Sequence, residues 1–123
     1  MRLLMLTRYS RLGASSRLRA LQYVPALSKA GFKIDIAPFF DDDYLNRIYA
    51  DKRVGLLASK YYAARVLKLL SKNKPDLIWI EQEVFPWLPW PIERAILGKK
   101  VPLVCDYDDA VFHRYDQHNN KAI

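Results

Sequence analysis

The chain has 123 residues, with 20 Lys or Arg against 13 Asp or Glu, which gives a formal net charge of +7. Its 51% apolar and 13% aromatic residues can fill a hydrophobic core, which excludes an intrinsically disordered chain. The single Cys105 excludes an internal disulfide and a cysteine zinc site, and no apolar run approaches the roughly 20 residues of a membrane-spanning helix. We therefore expect one soluble domain in the cytoplasm.

The basic residues fall into two groups. The first lies near the start of the chain and consists of Arg2, Arg8, Arg11, Arg17 and Arg19. The second lies mid-chain, is typical of a solvated helix face, and consists of Lys52, Arg53, Lys60, Arg65, Lys68, Lys72 and Lys74. Because no RNP-type aromatic motif, zinc finger or GxxG clamp occurs, we expect anionic small molecules or lipid head groups as partners, and no nucleic acid.

The first third of the chain predicts a β-α-β unit. An amphipathic stretch lies between two apolar runs, and Ser15 or Ser16 would cap the resulting helix while Pro25 would kink it. The predicted elements are a strand over 3–6, a helix over 17–30 and a strand over 32–38.

The remainder alternates in the same way. The predicted elements are a helix over 41–49, a helix over 58–70, a buried strand over 77–80, a helix over 91–98 and a buried strand over 101–105. This alternation predicts an α/β fold, a Rossmann-like three-layer parallel sheet of about four strands with helices on both faces. We expect the second strand on one side of the first, and the third and fourth strands on the other.

In such sheets, ligands bind outside the carboxyl ends of the strands, where the strand order reverses. The loop after the first strand lies at this edge. Gly13 would allow close backbone approach, and Ser15 and Ser16 would lie at a helix N-terminus, where anions are stabilised. The loop lacks the glycines of the dinucleotide and Walker patterns. It predicts either a phosphate cradle or a plain capped helix.

An unusual density of ionisable groups follows the last strand, namely Asp106, Asp108, Asp109, His113, Asp116 and His118. Alternate carboxylates at a strand end suit a divalent metal, or the nucleophile and acid of a haloacid-dehalogenase-like phosphatase, although that family has Gly and Thr at the positions of Asp109 and Ala110. A third interpretation is a sugar or acceptor pocket in which Asp109 or His113 binds hydroxyls or shares a proton. The fourth is a hydrogen-bonded loop with no site.

Aromatic side chains lie among prolines before the last helix. These apolar side chains either cover the core or form an amphipathic lip that meets a lipid-linked acceptor or the bilayer interface, and they are Phe85, Trp87, Leu88 and Trp90. The last strand is expected at the edge of the sheet, where its apolar residues would favour a homodimer or a larger assembly.

Four segments together resemble the amino-terminal domain of group 1 glycosyltransferases with the GT-B fold. They are LMLTRYS at 4–10, GASSRLRA at 13–20, DLIWIEQE at 76–83 and DYDDAVFH at 106–113. Their order and their placement at predicted strand ends carry the resemblance over essentially the whole chain.

The resemblance implies a two-domain enzyme whose amino-terminal half binds the acceptor and whose carboxyl-terminal half binds a nucleotide-sugar, the co-substrate. Transfer would take place between the halves, usually with retention and with neither a metal nor another cofactor. We expect residues 1–123 to form the acceptor-side domain without its donor-binding half, and to be inactive alone. The expected role is surface polysaccharide or glycolipid assembly, with peripheral contact at the inner membrane face.

The resemblance also assigns site residues by position. The donor diphosphate would face Gly13, Ser15, Ser16 and Arg17. The catalytic group at the transferred sugar would be Asp108, Asp109 and His113. Further substrate contacts would come from Arg8, Arg11, Glu81, Glu83 and Trp87. The first loop has one glycine where the family commonly has two. The alternatives are a non-catalytic nucleotide- or anion-binding domain and, more distantly, the phosphatase.

Overall fold

Strands and helices alternate along the chain in the computed structural model, which describes residues 1–52, 55–98 and 100–108. The elements are β1 (Arg2–Tyr9), α1 (Ala14–Arg19), a 3₁₀ helix (Leu21–Tyr23), α2 (Val24–Lys29), β2 (Lys33–Phe40), α3 (Asp42–Tyr49), α4 (Gly55–Leu70), β3 (Leu77–Glu81), α5 (Trp90–Leu97) and β4 (Leu103–Asp106). All four strands form one parallel sheet in the order β2-β1-β3-β4. The predicted fold class and strand order are both confirmed.

The central strand β1 separates two hydrophobic layers. Successive side chains of a strand point to opposite faces, so Leu4 and Leu6 pack on one side of the sheet while Leu3 and Met5 pack on the other. The first layer includes Tyr61 and Leu69 of α4. The second layer includes Ala20 and Leu21 and the partly buried residues of α2. Helices thus cover both faces, as a three-layer Rossmann-like fold requires.

The predicted helix over 17–30 is wrong in its detail. The structure instead has α1, the 3₁₀ helix and α2 in succession. Pro25 lies in the first turn of α2. Because the first amides of a helix have no intrahelical acceptor, proline is favoured there, and Pro25 starts a helix instead of kinking one.

Strand β4 is half-exposed, whereas the sequence predicted a buried strand over 101–105. Among the described residues β4 pairs only with β3, so it lies at the end of the sheet. Val104 is 45% exposed as a result. The expected edge position is confirmed, and the predicted burial is wrong because a strand at the end of a sheet has fewer packing partners.

We expect the chain to self-associate through this edge, because an edge strand offers backbone groups to a second copy. Light scattering at micromolar concentration should give about twice the mass of the chain. Val104→Lys should shift the mass towards the monomer. Leu67→Lys, at an exposed position of α4, is the matched control and should leave the mass unchanged. A monomeric wild-type protein at high concentration would contradict this prediction.

Trp87 and Trp90 are about half-exposed, while Phe85 is buried in the core. The core-cover interpretation therefore applies to Phe85 and not to the two indoles. In the part of the chain that the structure describes, no helix is both long enough and apolar enough to cross a bilayer.

Candidate functional site

Charged side chains gather at the carboxyl ends of β1, β3 and β4. The chain passes from β1 to β2 on one side and later to β3 on the other, so the strand order reverses between β1 and β3. This is where open α/β sheets bind ligands. We call the following residues the strand-end cluster: Arg8, Ser15, Arg19, Glu81, Gln82, Glu83, Asp106 and Asp108.

Glu81, the last residue of β3, is fully buried within this cluster. One carboxylate oxygen accepts a hydrogen bond from the backbone N–H of Arg8 at 3.1 Å. The other accepts from the Ser15 hydroxyl at 3.0 Å. A buried carboxylate is tolerated when hydrogen-bond donors surround it. Glu81 therefore ties the end of β1 to the first turn of α1, and the Ser15 hydroxyl, predicted to face a diphosphate, has an internal partner.

The packing of the loop after β1 explains why residue 13 is glycine. Gly13 is the N-cap of α1, so the predicted capping by Ser15 or Ser16 is wrong, and both serines lie inside the helix. A Cβ on Gly13 would lie 2.3 Å from the Cβ of Tyr9. The close approach of the start of α1 to the end of β1 therefore requires glycine at this position. The buried Ser16 hydroxyl accepts from the Tyr9 N–H at 2.9 Å. Diphosphate contact by this loop stays a prediction.

A continuous series of polar contacts crosses the cluster. Arg8 Nη1 donates to Gln82 Oε1 at 3.1 Å, and the Gln82 side-chain nitrogen donates to Asp108 Oδ1 at 3.1 Å. Asp108 Oδ2 lies 2.8 Å from Arg19 Nη1, and Asp106 Oδ1 lies 2.6 Å from Arg19 Nη2. The two aspartates that sequence reasoning considered for a metal share one guanidinium. The ends of β1, β3 and β4 are thereby linked through side chains.

Gln82 has a backbone φ of +65°, in the left-handed region that non-glycine residues rarely adopt. Such strain persists only where the surroundings fix the residue. Here the Gln82 backbone N–H donates to the Asp106 carbonyl at 2.9 Å, and its side chain bonds Arg8 and Asp108. The cluster therefore holds Gln82 in an unusual conformation at the strand end.

Arg65 is a buried cation that the sequence analysis assigned to a solvated helix face. That prediction is wrong, because Arg65 is only 3% exposed. Its Nη2 donates to the Thr7 carbonyl at 3.0 Å, and its guanidinium lies 5.4 Å from the centre of the Phe39 ring. Burial lowers the pKa of Arg65 to about 9. The signal was present, since Arg65 is four residues from both Tyr61 and Leu69, which are buried on the same face of α4.

Glu93 of α5 is the second buried group that sequence reasoning did not single out. It is 6% exposed, and its Oε1 accepts from the Phe85 N–H at 2.7 Å. Burial raises the pKa of Glu93 to about 7, the Phe85 N–H opposes the rise, and the Glu83 carboxylate adds to it. Glu93 therefore links the segment after β3 to α5, and its burial disfavours the ionised form of the carboxylate.

The predicted site residues divide into four sets. Gly13 and Ser16 are buried at the start of α1. The structure brings together Arg8, Ser15, Glu81, Glu83 and Asp108. Three residues are exposed, namely Arg11, Arg17 and Trp87, and Arg17 donates to the Arg11 carbonyl. Asp109 and His113 lie outside the described residues. Arg19 and Gln82 were not predicted as site residues, although Gln82 lies between two that were. Asp106 was predicted only under the metal and phosphatase interpretations.

No protein-family model matches this chain, and comparisons with the curated proteins and with the solved structures find no match either. The structure establishes the α/β three-layer fold.

The strand-end cluster has more acidic than basic groups. It contains four carboxylates, from Glu81, Glu83, Asp106 and Asp108, against the guanidinium groups of Arg8 and Arg19. Its formal charge is negative, which disfavours a phosphate group as the ligand of the cluster itself. Alternating donors and acceptors instead suit neutral hydroxyl groups, each of which both donates and accepts.

Proposed function

We propose that this chain is the acceptor-side domain of a nucleotide-sugar-dependent glycosyltransferase and that the strand-end cluster binds sugar hydroxyl groups. One observation carries the proposal. A partly accessible, net acidic cluster of alternating donors and acceptors lies where the strand order of a parallel sheet reverses.

The accessibility of the outer members supports this role. The side chains of Asp108 and Asp106 are 33% and 28% exposed, and that of Arg19 is 21% exposed, whereas Glu81 is fully buried. Glu81 therefore stabilises the fold around the site, while Arg19, Asp106 and Asp108 keep part of their surface accessible to a ligand. A carboxylate such as Asp108 would accept a hydrogen bond from a sugar hydroxyl, and Arg19 would donate one to a sugar oxygen.

Glycosyl transfer also requires positive groups at the leaving diphosphate, because negative charge develops there in the transition state. The acidic cluster does not supply them. In our proposal they come from a donor-binding half, and the present domain orients the acceptor. The sequence resemblance adds retention of configuration, assembly of surface polysaccharide or glycolipid, and contact with the inner membrane face to the proposal.

A ligand panel on the ¹⁵N-labelled chain tests the proposal by NMR. Methyl glycosides of gluco, galacto and manno configuration should shift the backbone amides of Gln82 and Asp108 saturably at millimolar concentration. Inorganic phosphate should leave the Gln82 and Asp108 amides unchanged, because the formal charge of the strand-end cluster is negative.

Other outcomes would contradict the proposal. Phosphate binding at Ser15 and Ser16 without a response to any glycoside would favour an anion-binding module. Magnesium-dependent release of phosphate from a phosphomonoester would favour the phosphatase.

A further inference from the structure

A cleft lies beside the strand-end cluster on the face of the sheet that α1 covers. It has a volume of about 380 Å³ and is lined by Leu18, Arg19, Tyr23, Trp79 and Asp106. Arg19 and Asp106 belong to both the cluster and the cleft, and their 2.6 Å ion pair lies where the two meet. A ligand that binds the cluster could therefore extend into the cleft.

The walls of the cleft combine apolar surface with charged groups. The rings of Tyr23 and Trp79 are inclined by 24°, with centroids 6.2 Å apart, and Tyr23 is 47% exposed. Leu18 adds exposed apolar surface. A pyranose ring has the complementary character, because its C–H groups form an apolar face and its hydroxyls form a polar rim. The aromatic and aliphatic side chains of the cleft would contact the apolar face of the sugar, and its charged groups would contact the polar rim.

Two donors of the cleft residues have no acceptor in the part of the chain that the structure describes. Trp79 Nε1 and Arg19 Nε are buried and make no hydrogen bond among the described residues. Buried polar atoms are nearly always paired in native proteins, so each exception calls for an explanation. These two atoms belong to side chains that line the same cleft, where an oxygen-bearing ligand would supply acceptors, whereas a third such donor among the described residues, Arg65 Nη1, does not line it.

We propose that this cleft is a subsite for one pyranose ring of the acceptor, next to the ring held by the strand-end cluster. Tyr23 and Leu18 contact the apolar face of the sugar, and Arg19 and Asp106 bind its hydroxyls. The inference rests on the proposed function and deepens it, since it requires an acceptor of at least two sugar units. A nucleotide is disfavoured, because its phosphates would meet the carboxylates of Asp106 and Asp108.

The indole N–H of Trp79 provides a direct reporter. The chain has three tryptophans, and Trp87 and Trp90, both half-exposed outside the cleft, serve as internal references. In ¹⁵N NMR titrations with methyl glycosides of disaccharides, the Trp79 indole signal should shift saturably while the other two stay in place. Disaccharide glycosides should bind more tightly than monosaccharide glycosides.

Two surface tyrosines give a matched pair of variants. Tyr23→Ala removes a cleft wall and should weaken disaccharide binding about fivefold, as loss of one aromatic contact implies. Tyr49→Ala removes a ring that is 74% exposed on α3 and should leave binding unchanged. If the spectrum of Tyr23→Ala shows loss of the fold, Leu18→Glu tests the same wall, because a carboxylate there should weaken binding.

The responses separate the two proposals. Shifts at Gln82 and Asp108 without a shift of the Trp79 indole would overturn the subsite and leave the proposed function standing. A Trp79 shift caused by uridine or adenosine but not by glycosides would overturn the subsite in favour of a nucleobase site. Equal affinity in Tyr23→Ala and the wild type would also overturn it. Absence of any glycoside response would contradict both proposals.

Discussion

Glu93→Gln should be more stable than the wild-type protein above pH 7 and should lose most of the pH dependence of stability between about pH 4.5 and 7. Burial raises the pKa of Glu93 from 4.5 to about 7 in the folded protein, so the folded state holds this proton more tightly than the unfolded state does. The stability that Glu93 contributes is therefore complete below pH 4.5 and is lost as the pH rises to about 7.

The expected loss is about 3 kcal/mol across this window, since one pKa unit corresponds to about 1.4 kcal/mol. Glutamine stays neutral, and its carbonyl oxygen can still accept from the Phe85 N–H. Urea unfolding followed by tryptophan fluorescence from pH 4.5 to 8.5 measures the effect. Asp43→Asn, which replaces an exposed carboxylate paired with Arg47, is the control and should keep the wild-type pH profile. Parallel profiles for Glu93→Gln and the wild type would contradict the prediction.

Gly13→Ala should destabilise the fold by about 1–3 kcal/mol, the usual cost of overpacking a well-packed site. The new Cβ would lie 2.3 Å from the Cβ and 2.9 Å from the Cγ of Tyr9. The Tyr9 Cβ cannot swing away, because it is bonded directly to a backbone that pairs with β2 and donates to Ser16. The start of α1 therefore has to move away from the end of β1.

Gly55→Ala is the matched control for this substitution. Gly55 is the first residue of α4, and a Cβ there meets nothing within 4 Å among the described residues. Alanine should leave stability unchanged or raise it by up to about 1 kcal/mol, because it lowers the entropy of the unfolded chain. Thermal and urea unfolding compare the two variants. A fully stable Gly13→Ala protein with impaired ligand binding would show that Gly13 serves a ligand and not the packing of Tyr9.

The fold could be predicted from the sequence because its signals are local. Apolar runs at 3–6 and 77–80 lie within β1 and β3, and the amphipathic stretches at 41–49 and 58–70 coincide with α3 and α4. The general rules of parallel sheets do not fix the strand order, so the Rossmann-like order was a hypothesis, which the structure confirms. The prediction for residues 17–30 was wrong because the helix was taken to begin at residue 17, seven residues before α2 begins at Val24. Pro25 then falls inside the predicted helix, whereas it lies in the first turn of the observed one.

The internal connections of the site could not be predicted. The bonds from Ser15 to Glu81 and from Arg8 to Gln82 join residues 66 and 74 positions apart, and no local pattern encodes such pairs. Sequence reasoning placed Ser15 and Glu81 at the same edge of the sheet but not in contact. The bond from the Ser15 hydroxyl to Glu81 was therefore not foreseen, and contact of Ser15 with a diphosphate stays a prediction.

The affinity of Asp108→Asn for methyl glycosides tests most directly whether the strand-end cluster binds sugar. Loss of the carboxylate should weaken binding about tenfold, as expected when a hydrogen bond to a charged group is replaced by one to a neutral group. Asp35→Asn is the matched control, because Asp35 is also a partly exposed carboxylate in an ion pair but belongs to β2 and contacts Lys68. Wild-type affinity in Asp35→Asn together with a tenfold loss in Asp108→Asn is the predicted result. Equal affinities of Asp108→Asn and the wild type, in a protein that retains its fold, would contradict the assignment of sugar binding to this cluster.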